Sequence, residues 1–592
     1  MIDSTIKKYA LQNSLKFNGK INPGAVIGKL LAEKPGLKKD IKEIAKKVNE
    51  IIKEISKLSL EEQKVLLEKQ APELLKEKKH KKQKRELKPL KNTKNLVMRF
   101  EPSPSGPMHI GHAYVLSLNS EYCRKYNGKL ILRIGDTNPE KIYEPAYELI
   151  EKDANWVTKN NISKVIIQSD RLEIYYKYME QLLDLDKAYI CTCNPEKYRE
   201  LITKQQPCPC RNLKDQKERW KKMFKGYKPK EAVARIKTNL NNKNPAMRDF
   251  PVFRINDSKH PRKGKKYRVW PLMNMAVTID DIETKVTAVI RAKDHHDNAL
   301  RQKYIYDYLK KPFPEAIFVG RINFEGMPVS CSKTRPLIEN KTYTGWDDIR
   351  LPFLEALKRR GYQPDALIHY AIDVGISLND KSVTKEEFFK TINAFNKDVI
   401  DKNAYRYFFI QDPKEIRIEN SPEQNIELDL HPDNKKGGRK FKTKDKFYLA
   451  EKDFNFKENK IYRLMDCLNF TKLSNKSEKG LGNSKNFQSK GNKFTFHSLD
   501  YKEFKENGER IIHWLPKLSN EGENGFGNSK NLQKEDLIKV EVLTPDNKLV
   551  KGLGEKKLNE LKVDDVIQLE RFGFCRLDSK NKDKLSFWFA HK

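Results

Sequence analysis

At 592 residues, the chain exceeds the size at which a single hydrophobic core usually stops growing, which predicts several domains. Its formal net charge of +37 indicates a polyanionic partner, although a lysine-rich proteome is the alternative source of part of that excess. No apolar run approaches the length of a membrane span, the N-terminus lacks a signal-peptide pattern, and the eight cysteines do not form a disulfide framework. We therefore expect a cytoplasmic protein without membrane contact.

The first region, residues 1–92, is predicted to be mostly helical. Residues 41–58 repeat apolar side chains with a helical period, and Ser59 begins an S-L-E-E sequence that resembles a helix start. A dense basic tract follows at residues 76–85. Because such tracts are usually solvated, we interpret it as a linker that also makes a salt-sensitive contact with nucleic acid.

From residue 93 onward, short apolar runs alternate with amphipathic helical segments. The predicted strands are residues 96–100, 130–134 and 165–167, and the predicted helices are residues 113–126, 146–157 and 174–183. This alternation is typical of a parallel, doubly wound sheet. Ligands bind at the carboxyl ends of such strands, which is where His109 and Asp136 fall.

The segment that joins the first of these strands to its helix has the composition of a phosphate site. The turn-rich sequence P-S-P-S-G-P ends the strand, and His109-Ile110-Gly111-His112 opens the helix. Backbone N–H groups at a helix N-terminus favour a phosphate, both histidines can reach it, and Gly111 leaves room for a nucleotide ring. Taken alone, His-x-x-His also occurs on ordinary helices, so the context carries this interpretation.

Two Cys-x-Cys pairs lie between the halves of the predicted sheet, at Cys191 and Cys193 and at Cys208 and Cys210. Four thiolates can supply the closed tetrahedral shell that a structural zinc ion requires. Because Cys-x-Cys is less diagnostic than Cys-x-x-Cys, reduced structural cysteines in a loop are the alternative. A zinc ion at this position is expected to be structural and not catalytic.

The sheet is predicted to resume near residue 273. A strand at residues 286–291 ends in Arg291, and a strand at residues 316–319 leads to a loop that contains Ser332 and Lys333. The following residues, 345–396, are predicted to be helical.

The character of the chain changes to β from residue 397. Short alternating strands with Gly, Asn and Pro turns predict antiparallel barrels. Two similar segments rich in Asn, Gly, Ser and Lys, residues 473–488 and 518–533, are predicted to be flexible surface loops without an assigned function.

Four stretches, in a fixed order, carry a resemblance to a known family. Residues 99–113 (R-F-E-P-S-P-S-G-P-M-H-I-G-H-A) are similar to the first signature of class I aminoacyl-tRNA synthetases, in the archaeal form of the glutamyl/glutaminyl branch. Residues 132–139 resemble the strand and loop beside the amino-acid pocket. Residues 329–335 (V-S-C-S-K-T-R) resemble a degenerate form of the mobile KMSKR loop, and residues 345–361 resemble the segment after it. The resemblance covers nearly the whole chain.

The resemblance implies that L-glutamate is activated with ATP and Mg²⁺ and transferred to tRNA-Glu, with tRNA-Gln as a further acceptor to be tested. Activation needs positioning and neutralisation of phosphate charge rather than an enzyme nucleophile. The implied catalytic residues are His109, His112 and Lys333. The implied ATP-binding residues are Pro107, Gly111, Ser332 and Lys333.

In the amino-acid pocket, the resemblance implies contacts from Arg99, Arg291 and Asp136. Glutaminyl enzymes tend to have a smaller, uncharged residue at the position of Arg291, and a buried arginine that faces a neutral amide lacks a counter-charge. Arg291 therefore favours glutamate. Gly135 departs from the family, which usually has a carboxylate there for the substrate ammonium group. Either Asp136 or another residue makes that contact, and a turn-capping role is the alternative for Asp136.

The implied fold is a multidomain α/β plus β architecture with a class I Rossmann-like catalytic domain, and we expect a monomer. The predicted regions are a helical N-terminal extension (1–92), the catalytic domain in two halves (93–190 and 273–344), an inserted acceptor-stem-binding region (191–272), a helical stem-contact module (345–396) and an antiparallel β-barrel anticodon-binding region (397–592). Rival functions are a glutaminyl-tRNA ligase, an inactive tRNA-binding paralogue and a small nucleotidyltransferase. The intact His109, His112 and Lys333 disfavour the second, and the basic C-terminal region disfavours the third.

Overall fold

The computed structural model describes residues 2–16, 19, 21–74, 86–91, 93–458, 460–472, 496–499, 511–517 and 537–592. The chain divides into two compact units, Met1–Arg85 and Glu86–Lys592. The basic tract and both Asn/Gly/Ser/Lys-rich segments lie outside the described residues. In the part that is described, no helix has the length and apolar character needed to cross a membrane.

The first unit is built from helices, as predicted. Its α-helices are α1 Ile2–Lys16, α2 Pro23–Glu33, α3 Ile41–Ile55 and α4 Leu60–Gln70. Helix α4 begins where the sequence predicts, because the Ser59 hydroxyl accepts from the Glu62 N–H while the Glu62 carboxylate accepts from the Ser59 N–H. The apolar stripe of α3 packs through Val48 against residues such as Leu11 and Leu30.

Residues 97–339 of the second unit contain both strands and helices. The strands are β1 Val97–Phe100, β2 Lys129–Ile134, β3 Lys164–Ile167, β4 Ala188–Cys191, β5 Val233–Ile236, β6 Pro251–Ile255, β7 Val269–Pro271, β8 Ala288–Ala292, β9 Glu315–Val319 and β10 Ile322–Glu325. The α-helices are α5 Ile110–Lys125, α6 Ala146–Val157, α7 Leu172–Asp184, α8 Pro195–Thr203, α9 Gln216–Lys225, α10 Met273–Glu283, α11 His296–Tyr308 and α12 Cys331–Glu339.

The parallel pairing that the apolar runs predict is confirmed. Strand β2 lies between β1 and β3 with both neighbours parallel, and β8 pairs in parallel with β9. The two groups join where the Thr287 N–H donates to the Val97 carbonyl oxygen at 2.9 Å. Helices α5 and α6 pack on this sheet in one apolar core that includes Leu116, Leu132 and Ile150. The carboxyl ends of β1, β2 and β3 therefore lie at the same edge of the sheet.

A second, antiparallel sheet interrupts the parallel one. Its four strands follow the order β4-β5-β6-β7, so the sheet begins at Ala188, three residues before the predicted boundary at 191. Trp220 and Trp270 are buried in its core together with Tyr175 from α7. The antiparallel sheet therefore has an apolar core of its own, to which α7 contributes.

The region predicted to be wholly helical contains a strand as well. Its elements are α13 Leu354–Arg359, α14 Pro364–Val374, β11 Lys381–Thr384 and α15 Lys385–Ile400. The prediction missed β11 because K-S-V-T is short and polar and is recruited by parallel pairing with β10. Leu354 and Leu367 belong to the same apolar core as Leu132, so this region packs directly on the parallel sheet.

The C-terminal region is β, but its sheets are mixed rather than antiparallel. Its strands are β12 Arg406–Tyr407, β13 Phe409–Gln411, β14 Pro413–Glu419, β15 Gln424–His431, β16 Asn434–Thr443, β17 Lys446–Ala450, β18 Ile461–Leu464, β19 Leu468–Lys472, β20 Phe496–Leu499, β21 Ile511–Ile512, β22 Leu515–Pro516, β23 Leu537–Leu543, β24 Leu549–Glu555, β25 Val566–Leu569, β26 Gly573–Lys580 and β27 Lys584–His591.

Two seven-stranded sheets and the hairpin β15–β16 account for these strands. The sheet orders are β12-β25-β26-β27-β23-β24-β13 and β21-β18-β19-β20-β14-β17-β22. The antiparallel prediction is wrong for the pairs β12–β25, β23–β27, β14–β20 and β18–β21, which are parallel. Each parallel pair joins strands separated by a long connection, which strand-by-strand periodicity does not reveal. Barrel closure stays a prediction.

Candidate active site

The loop between β1 and α5 is held from two sides. On one side, the Ile110 N–H donates to the Pro352 carbonyl oxygen at 3.2 Å and the Leu354 N–H donates to the Met108 carbonyl oxygen at 3.0 Å. On the other side, a Cβ atom on Gly106 would lie 2.8 Å from the Cβ of Cys331, so only glycine permits this approach. The start of α5 is therefore fixed by residues distant in the chain.

The two histidines of this loop are organised by the backbone of the helix that they open. Their rings stack with centroids 3.9 Å apart. His109 Nδ1 accepts from the Gly111 N–H at 3.1 Å, and His112 Nδ1 accepts from the His109 N–H at 3.4 Å. Because Nδ1 is the acceptor in both rings, Nε2 carries the proton of each neutral imidazole and can donate it to a ligand.

Both imidazoles are neutral near pH 7. Burial, and then the neighbouring His112, hold the pKa of His109 well below its ordinary value. Burial lowers the pKa of His112 to about 4. Near neutral pH, the pair can thus supply N–H dipoles to a phosphate without supplying a positive charge.

The segment that resembles the KMSKR loop is the first turn of a helix. Helix α12 begins at Cys331, and the Thr334 N–H donates to the Ser330 carbonyl oxygen at 2.9 Å. The prediction of a loop at Ser332 and Lys333 is therefore wrong, because the local polar composition does not reveal this helical hydrogen bonding. The Cys331 thiol lies 3.4 Å from the Pro107 carbonyl oxygen, so the turn contacts the histidine loop while Lys333 stays exposed.

A cavity of about 380 Å³ opens beside these histidines at the carboxyl end of β1. Its lining includes Arg99, Glu101, Ser103, His112, Arg291 and Gln302. The structure therefore brings the predicted pocket arginines and the second histidine to one cavity. Arg99 lies on β1 and Arg291 lies on β8, so the two side chains reach this cavity from separate parts of the chain.

Two arginines approach each other in this cavity. Arg99 Nε donates to Asp281 Oδ1 at 3.2 Å, and Arg291 Nη1 donates to Gln302 Oε1 at 3.0 Å. Burial, and then repulsion from Arg99, lower the pKa of Arg291 to about 10. Among the described residues, no acceptor pairs with the buried Arg291 Nε. The cavity therefore offers an unpaired N–H donor and positive charge to an anion.

A network of buried charges that the sequence prediction missed lies beneath the cavity. Arg133 forms ion pairs with Asp281 and with Asp280, the latter at 3.6 Å. Although burial acts to raise it, Arg133 and Arg99 lower the pKa of the Asp281 carboxyl. The available signal was an arginine within the apolar strand K-L-I-L-R-I and two aspartates within the apolar helix α10.

Asp136 lies outside the lining of the cavity. Its Oδ1 accepts from the Ser169 N–H at 2.7 Å and its Oδ2 accepts from the Tyr147 hydroxyl at 2.7 Å. Its carbonyl oxygen lies 3.1 Å from His260 Nε2. These contacts tie the end of β2 to α6, to the 3₁₀ helix Gln168–Arg171 and to the segment that contains His260, as the capping alternative for Asp136 anticipates.

The four cysteines come together at the end of the antiparallel sheet. Their sulfur atoms all lie within 4.8 Å of one another, and none of the four is in a disulfide. Cys193 Sγ is 3.3 Å from Cys208 Sγ and 3.8 Å from Cys210 Sγ. A tetrahedral zinc ion with ordinary Zn–S bonds separates its sulfur ligands by about 3.8 Å, so this arrangement fits the ion.

Comparisons with known proteins assign most of the chain to domains of one family. Residues 95–402 match the family described as tRNA synthetases class I (E and Q), catalytic domain. Residues 404–486 and 511–578 match anti-codon binding domains of the same synthetases.

Similar full-length proteins carry the name glutamate–tRNA ligase. The protein of Methanocaldococcus jannaschii is 39% identical over 595 aligned residues, which cover 100% of each chain. Those of Thermococcus onnurineus and Thermococcus kodakarensis are 42% and 41% identical, again over 100% of each chain.

Proposed function

This chain belongs to the glutamate and glutamine branch of the class I tRNA synthetases, and from that premise we propose that it is a glutamate–tRNA ligase. In the proposed reaction, the α-carboxylate of L-glutamate attacks the α-phosphorus of ATP, and pyrophosphate leaves. A ribose hydroxyl of the terminal adenosine of tRNA-Glu then attacks the activated carbonyl, loses its proton and releases AMP. The substrate carboxylate is itself the nucleophile of the first step.

The observation that carries the proposal for glutamate is the pair Arg99 and Arg291 in one cavity. A γ-carboxylate relieves the repulsion between the two guanidinium groups and can accept two parallel hydrogen bonds from one of them. The neutral amide of glutamine leaves that charge without a partner in a buried site. The same two residues therefore attract glutamate and disfavour glutamine.

On the nucleotide side, His109 and His112 donate from Nε2 to the phosphates, and Gly111 leaves space for the base. Lys333 contributes a positive charge from α12, and Pro107 and Ser332 border the same site. Mg²⁺, brought in by the ATP phosphates, supplies further neutralisation of charge. The neutral state of the imidazoles suits positioning, because neutral donors can bind a phosphate without a proton transfer.

The proposed partner is tRNA, whose phosphates complement the net charge of +37. We infer that residues 191–272 contact the acceptor stem and that the C-terminal β region contacts the anticodon. A cytoplasmic location follows from a role in protein synthesis. A monomer stays a prediction, which sedimentation equilibrium checks.

Charging assays test the proposal directly. Purified protein is expected to attach glutamate, and not glutamine, to a tRNA-Glu transcript in the presence of ATP and Mg²⁺. A tRNA-Gln transcript with glutamate, assayed in parallel, separates a discriminating from a non-discriminating synthetase. Charging of tRNA-Gln with glutamine would favour the rival glutaminyl ligase, and no charging with any pair would favour an inactive paralogue.

We also propose that Cys191, Cys193, Cys208 and Cys210 hold one structural zinc ion. The support is the convergence of four sulfur atoms from two segments that are joined by α8. The ion cross-links these segments at the end of the antiparallel sheet, at a position away from the cavity lining. It is therefore expected to support the acceptor-stem region rather than the chemistry.

Metal analysis tests the zinc site. The wild-type protein is expected to contain about one zinc ion per chain by plasma mass spectrometry, and Cys208→Ser to lose most of it. Cys123→Ser is the matched control, because Cys123 is equally buried but lies outside the cluster. Metal-free wild-type protein, or a Cys208→Ser variant that retains full occupancy, would support reduced structural cysteines instead.

A further inference from the structure

The substrate ammonium group has no obvious partner at the position where the family resemblance leads us to expect one. In a cavity that contains Arg99 and Arg291, a third positive charge needs a nearby carboxylate. Gly135, at the end of the second parallel strand, has no side chain to supply it. The contact must therefore come from another residue.

Asp136, the residue next to Gly135, has a carboxylate that already accepts hydrogen bonds from other residues. Both of its oxygen atoms accept hydrogen bonds at 2.7 Å, from the Ser169 N–H and from the Tyr147 hydroxyl. The residue is 1% exposed and is absent from the cavity lining. Recruiting it to the substrate would break a buried backbone hydrogen bond, which is costly.

Glu101 occupies the space beside Gly135. The loops after β1 and β2 are joined where the Gly135 N–H donates to the Pro102 carbonyl oxygen at 3.0 Å. A Cβ atom on Gly135 would lie 3.6 Å from Glu101 Oε1 and 3.7 Å from Glu101 Cγ. The carboxyl group of Glu101 therefore lies in van der Waals contact with the position that a side chain at residue 135 would occupy.

Glu101 also faces the cavity and has capacity for another donor. It belongs to the lining, and its Oε1 accepts from Gln168 Nε2 at 3.3 Å, which leaves a second lone pair on that oxygen. Its Oε2 lies 2.9 Å from Arg133 Nε, without the geometry of a hydrogen bond.

Glu101 also takes part in the network of buried charges. Its Oε2 lies 3.7 Å from Arg99 Nη1, and the two aspartates that pair with Arg133 are shared, Asp280 with Arg171 and Asp281 with Arg99. Among the described residues that line the cavity, Glu101 is the one that carries a carboxylate. A substrate ammonium group in this cavity would otherwise lie beside arginines alone.

We propose that Glu101 binds the α-ammonium group of the amino-acid substrate and replaces the carboxylate that the family usually has at the position of Gly135. The carboxylate at position 101 compensates for the absence of one at position 135. Both positions follow neighbouring parallel strands, so either can supply the negative charge. This inference rests on the proposed function, since it assigns a contact to the same substrate.

The first test distinguishes loss of the ammonium contact from a general disturbance of the amino-acid pocket. In Glu101→Gln, the KM for glutamate in tRNA charging is expected to rise about 10- to 100-fold, as for a lost hydrogen bond between charged groups. The inhibition constant of glutarate, which lacks the amino group, is expected to stay within about threefold of wild type, because glutarate makes no ammonium contact. Glu151→Gln, on an exposed part of α6, is the matched control and should change neither value.

The second test removes the carboxylate at position 101, after β1, and introduces one at position 135, after β2. A Cβ at position 135 meets only ordinary van der Waals contacts, and replacing Glu101 by alanine frees the adjacent space. The double variant Glu101→Ala/Gly135→Glu is therefore expected to recover at least about tenfold of the glutamate affinity that Glu101→Ala loses. Rescue of this kind is not expected if Glu101 only supports Arg133.

The outcomes are distinguishable from a failure of the proposed function. If wild-type protein charges no tRNA with glutamate, the proposed function fails before any variant is compared. If wild type is active but Glu101→Gln raises the glutamate KM and the glutarate inhibition constant by the same factor, Glu101 is structural and the inference is overturned. Unchanged constants for both ligands would overturn it as well.

Discussion

Replacement of Arg291 by methionine is expected to lower kcat/KM for glutamate about 10³-fold. The substitution keeps an unbranched chain of similar length but removes the guanidinium group that faces Arg99 across the cavity. The γ-carboxylate then loses one of its two cationic partners in a buried site, where the loss of one member of a charge pair typically costs several kcal/mol. Steady-state charging of tRNA-Glu over a range of glutamate concentrations measures the effect.

The same variant should change the choice between substrates. Without Arg291, the amide of glutamine no longer faces an unpaired charge, so the preference for glutamate over glutamine should fall by at least about tenfold. Arg321→Met, at an exposed arginine of the same unit, is the control and should leave the preference unchanged. A preference that survives in Arg291→Met would show that other residues select the side chain.

His112→Ala is expected to lower kcat by about 10²- to 10³-fold, because it removes a preorganised donor to the phosphates. His112→Gln should retain more activity, since the amide nitrogen of glutamine can occupy the region of Nε2 and is also a neutral donor. The comparison distinguishes loss of an N–H donor from loss of a charge. Charging rates at saturating ATP and glutamate provide the measurement.

The pH dependence offers an independent check on the same ring. Since burial lowers the pKa of His112 to about 4, the imidazole stays neutral as the pH falls from 8 to 6. An ordinary histidine would gain a proton near pH 6.5, so no fall in kcat with that midpoint is expected from His112. His369→Gln, at an exposed histidine on α14, is the control.

For the substitutions at position 112, the donor role is contradicted if His112→Gln lowers kcat as much as His112→Ala does.

Local patterns predicted those elements whose residues interact with near neighbours in the chain. The start of α4 follows from Ser59 and Glu62, which satisfy each other's backbone within one helical turn. Strands β1 and β2 follow from apolar runs, since strands buried on both faces need no polar alternation. The start of α12 was missed, because polar residues such as Ser332 and Lys333 are compatible with either a loop or a helical first turn.

Short motifs and local periodicity were sufficient to identify the family and the loop in which His109 and His112 lie. Which charges meet depends on the tertiary structure. Glu101 lies beside Gly135 because the parallel pairing of β1 with β2 brings their carboxyl ends together, and the fold places Arg99 and Arg291 in the lining of one cavity. The hydrogen bond from Tyr147 on α6 to Asp136 likewise depends on tertiary packing. Spacing along the chain does not indicate which residues become such neighbours. The candidate partner of the substrate ammonium group was therefore identified from the fold.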